Sequence, residues 1–270
     1  MDCPLQRSHP QDDRKLMAGG NSERRFSGVG RLYGEVGAQR LRDAHAVVVG
    51  IGGVGSWSAE ALARTGVGRI TLIDLDMVAE SNANRQIHAL DDVWGKAKVA
   101  AMAERIVAIN PSCQVHCIED FVTPENVGEL LTGDFSVVVD AIDQVRAKVA
   151  MIAHCRDRRL PIVVAGAAGG QLDPTRISVS DLSQTVQDPL LAKVRSQLRR
   201  AHGFPRDGKK FGVAAVYSTE PLRYPQADSS CSTAPAAAGL NCAGFGSSVC
   251  VTAVFGMTAA ARAIDLITAG

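Results

Sequence analysis

The chain has 270 residues, of which 46% are hydrophobic and 21% are charged. This composition excludes a largely disordered chain and allows a sizeable buried core. With 29 Lys and Arg against 28 Asp and Glu the net charge is +1, which excludes attraction of nucleic acid or membrane by a global field, so any such partner needs a local patch.

The length favours one large domain with small appendages over two domains. Residues 1–22 hold two prolines, adjacent glycines and mixed charge without periodicity, so we expect a disordered N-terminal tail. Residues 23–270 are predicted to form a single domain. Its core is expected at about 44–170, and an extension that contacts the substrate at about 171–270.

Five short apolar runs in the core region predict strands. They lie at residues 46–49, 69–73, 115–118, 136–139 and 161–164. Because the runs lack polar alternation, we expect strands covered on both faces, as in a parallel sheet. Helical patterns lie between them, so the predicted fold class is α/β: a doubly wound, mostly parallel, Rossmann-like sheet with a C-terminal α+β extension.

The extension mixes strands and helices. Residues 176–180 and 212–218 are predicted strands, Asp188-Pro189 is predicted to cap a helix, and a closing helical region is predicted at 244–267. Residues 229–261 contain no charge and are long enough to span a bilayer. Their Pro, Asn, Ser and Thr residues favour a buried loop and a core helix, so we do not expect a membrane span.

A glycine-rich loop, GIGGVG at 50–55, lies between the first predicted strand and the following helix. Glycines at such a turn let the N–H groups of the helix N-terminus approach a phosphate. Asp74 ends the next strand, where a carboxylate can accept a hydrogen bond from a ribose. The predicted nucleotide-binding residues of this region are Gly50, Gly52, Gly53, Gly55 and Asp74. The alternative is a tight turn with an incidental acid.

The polar residues after Asp74 favour a nucleoside triphosphate over a dinucleotide used for hydride transfer. Residues 81–86 read SNANRQ, Lys98 lies at the start of the next helix, and Asp143 follows the fourth strand. Transfer of a phosphate requires neutralisation of its charge, and a carboxylate can hold magnesium. The set therefore predicts a site that cleaves a triphosphate with Mg²⁺.

Over roughly residues 24–170 the sequence resembles the ubiquitin-activating-enzyme-like adenylating superfamily, whose members join a substrate carboxylate to AMP and release pyrophosphate. The resemblance rests on residues 50–55, 74–76, 81–86, 98, 109–111 and 140–143. It implies that ATP and Mg²⁺ take part in the reaction.

The resemblance also implies roles for individual residues. Arg85 and Lys98 would contact the phosphates and Asp143 would bind Mg²⁺, and these three are the predicted catalytic residues. The further predicted nucleotide contacts are Asp76, Ser81, Asn82, Asn84 and Gln144. Asp76 is equally compatible with a simple turn, and Gln144 replaces the Asn that family members usually carry.

Further motifs are similar to one branch of this superfamily, the tRNA threonylcarbamoyladenosine dehydratases. They are RF at 25–26, RLYG at 31–34, GGQLDP at 169–174, QDPL at 187–190, STE at 218–220 and YPQ at 224–226. This resemblance implies ATP-dependent cyclisation of the threonylcarbamoyl group of tRNA. The superfamily implies a homodimer, in which Arg25 or Arg31 would reach the phosphates from the second subunit. A sulfur-transfer partner, a cysteine desulfurase or sulfur acceptor, is left open.

A basic segment supports an RNA partner. Residues 193–210 hold seven Lys or Arg and one Asp in an otherwise neutral chain, and such clusters bind phosphate backbones. The alternative is a solvated helix face and a charged loop. The predicted tRNA-binding residues are Lys193, Arg195, Arg199, Arg200, Arg206, Lys209 and Lys210.

The seven cysteines form no C-x-x-C pair, so no zinc is expected. Activators of ubiquitin-like sulfur carriers commonly have two such pairs, and activation of a carrier protein is the alternative function. An oxidoreductase or a binding module is a third reading. No secretory signal is recognised, so reduced thiols and a cytoplasmic location are expected. Cys231 and Cys242 are predicted to be non-catalytic because no adjacent base is visible.

Overall fold

The computed structural model describes residues 21–206, 208–224 and 245–269. Almost all of the predicted tail lies outside the described residues, as do Cys231 and Cys242. The first helix begins at Asn21, two residues before the predicted start of the domain.

All seven predicted strands are present. The helices are α1 (Asn21–Asp43), α2 (Gly55–Arg64), α3 (Lys98–Ile109), α4 (Val127–Leu130), α5 (Val145–Asp157), α6 (Pro189–Ala201) and α7 (Val249–Ala269). The strands are β1 (His45–Val49), β2 (Arg69–Ile73), β3 (Gln114–Ile118), β4 (Val137–Asp140), β5 (Ile162–Ala165), β6 (Ile177–Asp181) and β7 (Ala214–Ser218). Short 3₁₀ helices lie at Glu80–Asn82, Asp91–Val93, Pro174–Arg176 and Leu182–Gln184.

The strands form one sheet in the order β3-β2-β1-β4-β5-β7-β6. All neighbouring pairs are parallel except β6 and β7, which are antiparallel. The chain runs outward from β1 in both directions, so the loops after β1 and β4 diverge and leave a crevice at the carboxyl ends of the strands. The predicted doubly wound α/β class is confirmed.

Apolar layers cover both faces of the sheet. Successive residues of β1 point to opposite faces: Val48 belongs to the layer that contains Leu62, and Val47 to the layer that contains Ile152. All four side chains are fully buried, and each such burial stabilises the fold by about 1.5–3 kcal/mol. The sheet is therefore a rigid support for the loops at its carboxyl edge.

Strand β3 differs from the prediction because it lies at one edge of the sheet. Gln114, His116 and Cys117 are exposed, and Val115 and Ile118 are half-buried. In the described part of the chain only β2 pairs with β3. The expectation of a strand covered on both faces is therefore wrong here, because an apolar run does not reveal whether a strand is central or peripheral.

Helix α7 is a core helix, as the sequence predicts. By length and composition it could cross a membrane, but half of its most apolar window is buried within this domain. Ser58 Oγ on α2 donates to Gly256 O at 2.9 Å. The two helices are so close that a Cβ at Gly256 would overlap the carbonyl oxygen of Val54.

Candidate active site

A cleft of about 360 Å³ lies at the carboxyl ends of β1, β2, β4 and β5. Ser247, just before α7, and Thr252 within it close one side. The predicted residues that line the cleft are Gly50, Gly52, Gly53, Asp74, Asp76, Asn82, Arg85, Lys98, Asp143 and Gln144. Gly55, Ser81 and Asn84 lie beside the cleft rather than on its wall. The strand order thus brings together residues that are far apart in the sequence.

The loop glycines serve different purposes. Gly50 has a φ of +85°, and a Cβ there would lie 2.8 Å from Ile142 Cγ2. A Cβ at Gly55 would overlap the carbonyl oxygen of Gly50, so Gly55 lets α2 pack against the strand end. At Gly52 a Cβ would meet nothing within 4 Å, which leaves room for a phosphate next to the N-terminus of α2.

Asp74 fixes the glycine loop in addition to lining the cleft. Its Oδ2 accepts the N–H of Ile51 at 2.6 Å, and its Oδ1 accepts the N–H of Asp76 at 2.8 Å. Burial raises the pKa of Asp74, and the charge of Lys98 opposes this rise. Each carboxylate oxygen keeps a second lone pair, so Asp74 can also accept a hydrogen bond from a ribose hydroxyl.

Lys98 places a cation in the wall of the cleft. Its side chain is only 8% exposed, and Nζ donates to Asp76 Oδ2 at 2.7 Å. The backbone N–H of Lys98 donates to Asp76 O at 3.0 Å. Asp76 therefore positions the predicted phosphate-binding lysine and is more than a turn residue.

The loop after β2 holds Arg85 against the cleft. Arg85 Nη1 donates to Ser81 O at 2.8 Å and to Asn84 Oδ1 at 2.9 Å, while Arg85 O accepts from Trp57 Nε1 at 2.9 Å. Asn84 Nδ2 donates to Ser247 O at 3.1 Å, which joins this loop to the segment before α7. Ser81 and Asn84 thus position Arg85 from outside the wall.

A buried ion pair supports the loop that carries Asp143. Lys148 Nζ donates to Asp140 Oδ1 at 2.9 Å, and both side chains are 0% exposed. Asp140 Oδ1 also accepts the N–H of Ile142 at 3.3 Å. This pair cannot be predicted from the sequence, because only the packing of α5 against β4 brings Lys148 back to Asp140.

Two further loops, neither of them predicted from the sequence to belong to the site, form walls of the cleft. They are residues 120–122 after β3 and 166–169 after β5. The available signal was the strand order, since parallel strands end at one edge of the sheet. Gln86 and Thr252 also line the cleft, and within the described residues neither Gln86 Oε1 nor Thr252 Oγ1 has a hydrogen-bond partner although both atoms are buried.

Arg25 and Arg31 lie on α1, away from the cleft of their own chain. Arg25 Nη1 donates to Ala108 O at 3.3 Å and to Ile109 O at 2.7 Å, at the end of α3. Arg31 lines a separate groove beside α1. A role at the phosphates requires a second subunit, as predicted from the sequence, and stays a prediction.

The predicted tRNA-binding residues lie together on α6 and the loop that follows it. Arg195, Arg199, Arg200 and Arg206 line one shallow groove, and Lys193, Lys209 and Lys210 are exposed on the same helix and loop. Arg195 donates to Thr185 Oγ1, and the Arg199 guanidinium lies 5.2 Å from the centre of the Phe211 ring. We call these seven residues the basic surface; their contact with RNA stays a prediction.

The ThiF family model matches residues 28–269 of the chain. The tRNA threonylcarbamoyladenosine dehydratase of Escherichia coli K12 is 53% identical over 251 residues, which are 91% of this chain and 94% of that protein. The protein of the same name from Haemophilus influenzae is 50% identical over 247 residues, with the same two coverages. The crystal structure of E. coli tRNA N6-threonylcarbamoyladenosine dehydratase, TcdA, in complex with ATP matches with a TM-score of 0.84 at 50% identity, over 93% of this chain and 96% of that one.

A relative with another activity matches less of the chain. The adenylyltransferase and sulfurtransferase MOCS3 of Drosophila willistoni is 33% identical over 135 residues, which are 50% of this chain and 29% of that protein.

Proposed function

The chain belongs to the ThiF family, and from this premise we propose that it is an ATP-dependent tRNA threonylcarbamoyladenosine dehydratase. It activates the carboxylate of the threonylcarbamoyl group and closes that group into a ring with loss of water. The observation that carries the proposal is the cleft, in which the glycine loop, Arg85, Lys98 and Asp143 line one cavity. The 53% identity to the E. coli dehydratase over most of both chains supports it. The carrier-activating alternative has weaker support because its relative matches only 50% of the chain.

We assign the triphosphate to the glycine loop and to the two cations beside it. The N–H groups at the start of α2 would receive phosphate oxygens next to Gly52. Lys98, held by Asp76, and Arg85, held by Ser81, would neutralise the charge that develops as pyrophosphate leaves. Because protein hydrogen bonds already position both cations, little reorganisation is needed during the reaction.

Asp143 is the residue that fits Mg²⁺. This ion is usually held by one or two carboxylates together with substrate phosphates and water. Asp143 lines the cleft and is half-buried, and the described residues contain no group of three or more His, Cys, Asp or Glu that would enclose a metal. When bound, the ion supplies charge neutralisation and orientation of the leaving pyrophosphate.

The reaction consists of two successive substitutions. A carboxylate oxygen of the threonylcarbamoyl group attacks the α-phosphorus of ATP, and the bond to pyrophosphate breaks. The neighbouring carbamoyl group then attacks the activated carbonyl carbon, the bond to AMP breaks, and a proton passes to solvent. Both reacting groups belong to one nucleoside, so ring closure is intramolecular and gains a high effective concentration. No enzyme nucleophile is required.

We further propose that tRNA lies on the basic surface and that the enzyme acts in the cytoplasm as a homodimer. The seven cations of α6 and its loop support the first statement. The exposed apolar side chains of Leu32 and Val36 on α1, 76% and 68% exposed, support a second subunit next to Arg25 and Arg31. A sulfur-transfer partner stays a prediction from the resemblance.

Mass analysis of tRNA nucleosides tests the function. The pure protein is incubated with ATP, Mg²⁺ and tRNA that carries threonylcarbamoyladenosine. We expect the modified nucleoside to lose one water, with release of AMP and pyrophosphate in equal amounts, and no change when ATP is omitted. An unchanged nucleoside mass would contradict the proposal. Pyrophosphate release that depends on a small carrier protein with a Gly-Gly tail would favour the alternative.

A further inference from the structure

One buried carboxylate connects the cleft to the helix of the basic surface. Asp188 is the N-cap of α6, and its Oδ1 accepts the N–H of Leu191 at 2.9 Å. Its Oδ2 accepts the N–H of Ala167, also at 2.9 Å, and Ala167 lines the cleft. Asp188 is 5% exposed, so both hydrogen bonds are shielded from water. A single side chain therefore holds both the cleft wall and the first turn of α6.

The packing around Asp188 makes this connection tight. A Cβ at Gly166 would overlap Asp188 Oδ2, so the loop approaches the carboxylate only because residue 166 has no side chain. Burial raises the pKa of Asp188 and the positive charge of Lys148 opposes this rise, while Lys148 is also paired with Asp140. These three charged residues form a buried cluster beneath the loops after β4 and β5.

We propose that Asp188 is a positioning residue that couples the nucleotide cleft to the tRNA-binding surface. The inference rests on the proposed function, in which ATP occupies the cleft and tRNA contacts α6. Loop 166–169 and the first turn of α6 share one carboxylate, so a ligand that restrains one of them also restrains the other. The second ligand then meets a site that is already fixed. ATP therefore binds the enzyme–tRNA complex more tightly than the free enzyme, and tRNA binds the enzyme–ATP complex more tightly than the free enzyme.

Two substitutions of Asp188 keep the helix cap and break the link to the cleft. In Asp188→Ser the hydroxyl still caps α6 but is too short to reach Ala167. In Asp188→Asn the amide oxygen can cap α6 while its NH₂ group faces another donor at Ala167. Gly166→Ala disturbs the same contact from the side of the loop.

A matched control is available at a second Asp-Pro cap. Asp173 caps the 3₁₀ helix Pro174–Arg176, and its Oδ1 accepts the N–H of Thr175 at 2.9 Å. Within the described residues its side chain bonds to no residue that lines the cleft. Asp173→Ser therefore changes the same residue type at the same kind of cap, in a less buried position, without touching the link.

The measurement is the dissociation constant of a non-hydrolysable ATP analogue with and without tRNA. For the wild type we expect at least about fivefold tighter binding in the presence of tRNA, the lower end of typical couplings. The ratio should fall close to one in both Asp188 variants and in Gly166→Ala, and should be unchanged in Asp173→Ser. If Asp188 had a purely structural role, its substitution would lower the affinity for the ATP analogue both with and without tRNA, or lower the thermal stability. The ratio of the two dissociation constants would then be unchanged.

Two outcomes overturn the proposal: a wild-type ratio of one, or a folded Asp188→Ser protein that keeps the wild-type ratio. Dehydration of tRNA by the wild type is measured in the same samples. If the wild type dehydrates tRNA but shows no coupling, only this inference fails. If it dehydrates no tRNA, the proposed function fails first.

Discussion

The nucleotide cleft and the basic surface lie on neighbouring loops and helices but hold their charges in different ways. In the cleft, Lys98 is buried and bonded to Asp76, and Asp74 accepts two backbone N–H groups. On the basic surface, Lys209 and Lys210 are exposed. Interactions inside the protein are strengthened by the low dielectric, whereas exposed charges are screened by salt. Phosphoryl chemistry needs fixed geometry, while attraction of a polyanion needs charge alone.

The largest effect on activity is expected when a charge in the cleft is removed. Asp143→Ala should lower the rate of AMP formation at least about 100-fold, because a group that organises charge in the transition state is lost. Release of AMP and pyrophosphate with tRNA present is the measurement, and the thermal unfolding curve shows that the fold is retained. Asp157→Ala, which changes an exposed acid, is the control. Full activity in Asp143→Ala would show that this residue has no role in the reaction.

The second prediction concerns the stability of the fold, which should fall when the buried cation Lys148 beneath the cleft is removed. Lys148→Met leaves the fully buried Asp140 without its partner, which should lower the free energy of unfolding by about 3–5 kcal/mol. Lys96→Met breaks a partly exposed pair with Glu104 and should change the free energy of unfolding by less than about 1 kcal/mol. Urea denaturation compares the two. Equal effects would mean that the buried pair is no more important than a surface pair.

The free energy of unfolding should fall at acid pH because of His88, a buried histidine behind the cleft. Burial, together with Lys98 and Arg105, lowers the pKa of His88 from 6.5 to about 4. Between these two values the unfolded chain binds a proton that the folded protein does not, so stability falls as the pH falls, by at most about 3 kcal/mol. We expect His88→Leu to remove this part of the acid dependence and His116→Leu, at an exposed position, to leave it. If the free energy of unfolding of His88→Leu falls between pH 6.5 and 4 as much as that of the wild type, His88 is not the source of this pH dependence.

The smallest expected effect lies on the basic surface. Replacement of Arg199, Arg200, Lys209 and Lys210 by Ala should weaken tRNA binding about tenfold or more and make it less sensitive to salt, because each lost phosphate contact lowers the salt slope by about one. The affinity for ATP alone should not change. Arg42→Ala with Arg262→Ala, whose side chains are 47% and 41% exposed elsewhere on the surface, is the control. Unchanged tRNA affinity at low salt would remove the basic surface from the interface.

The parts of the fold that depend on local pattern could be predicted from the sequence. The apolar runs predict the strands, and the glycine loop with Asp74 predicts the position of the cleft, because each signal lies within a few residues. The position of β3 at the sheet edge could not be predicted, since its apolar residues resemble those of an inner strand. Sequence also does not show which of several polar residues face a cavity: Ser81 and Asn84 position Arg85 instead of lining the wall.

Contacts between segments that are distant in the sequence could not be predicted. Asp140, Lys148 and Asp188 each lie in a motif or a helix with its own local explanation, and only the packing of α5 and α6 against the sheet brings them together. The same holds for Thr252, which lies in an apolar helix and yet lines the cleft.

The contact between α2 and α7 has a consequence for synthesis of the protein. Ser58 and Gly256, joined by a hydrogen bond, are separated by 198 residues. At about 5–20 residues per second, the ribosome needs about 10–40 s to make the intervening chain. During that time the apolar face of α2 has no partner from α7, so the nascent chain exposes apolar surface through which it can aggregate. Folding of this domain is therefore expected to finish late, after α7 has left the ribosome.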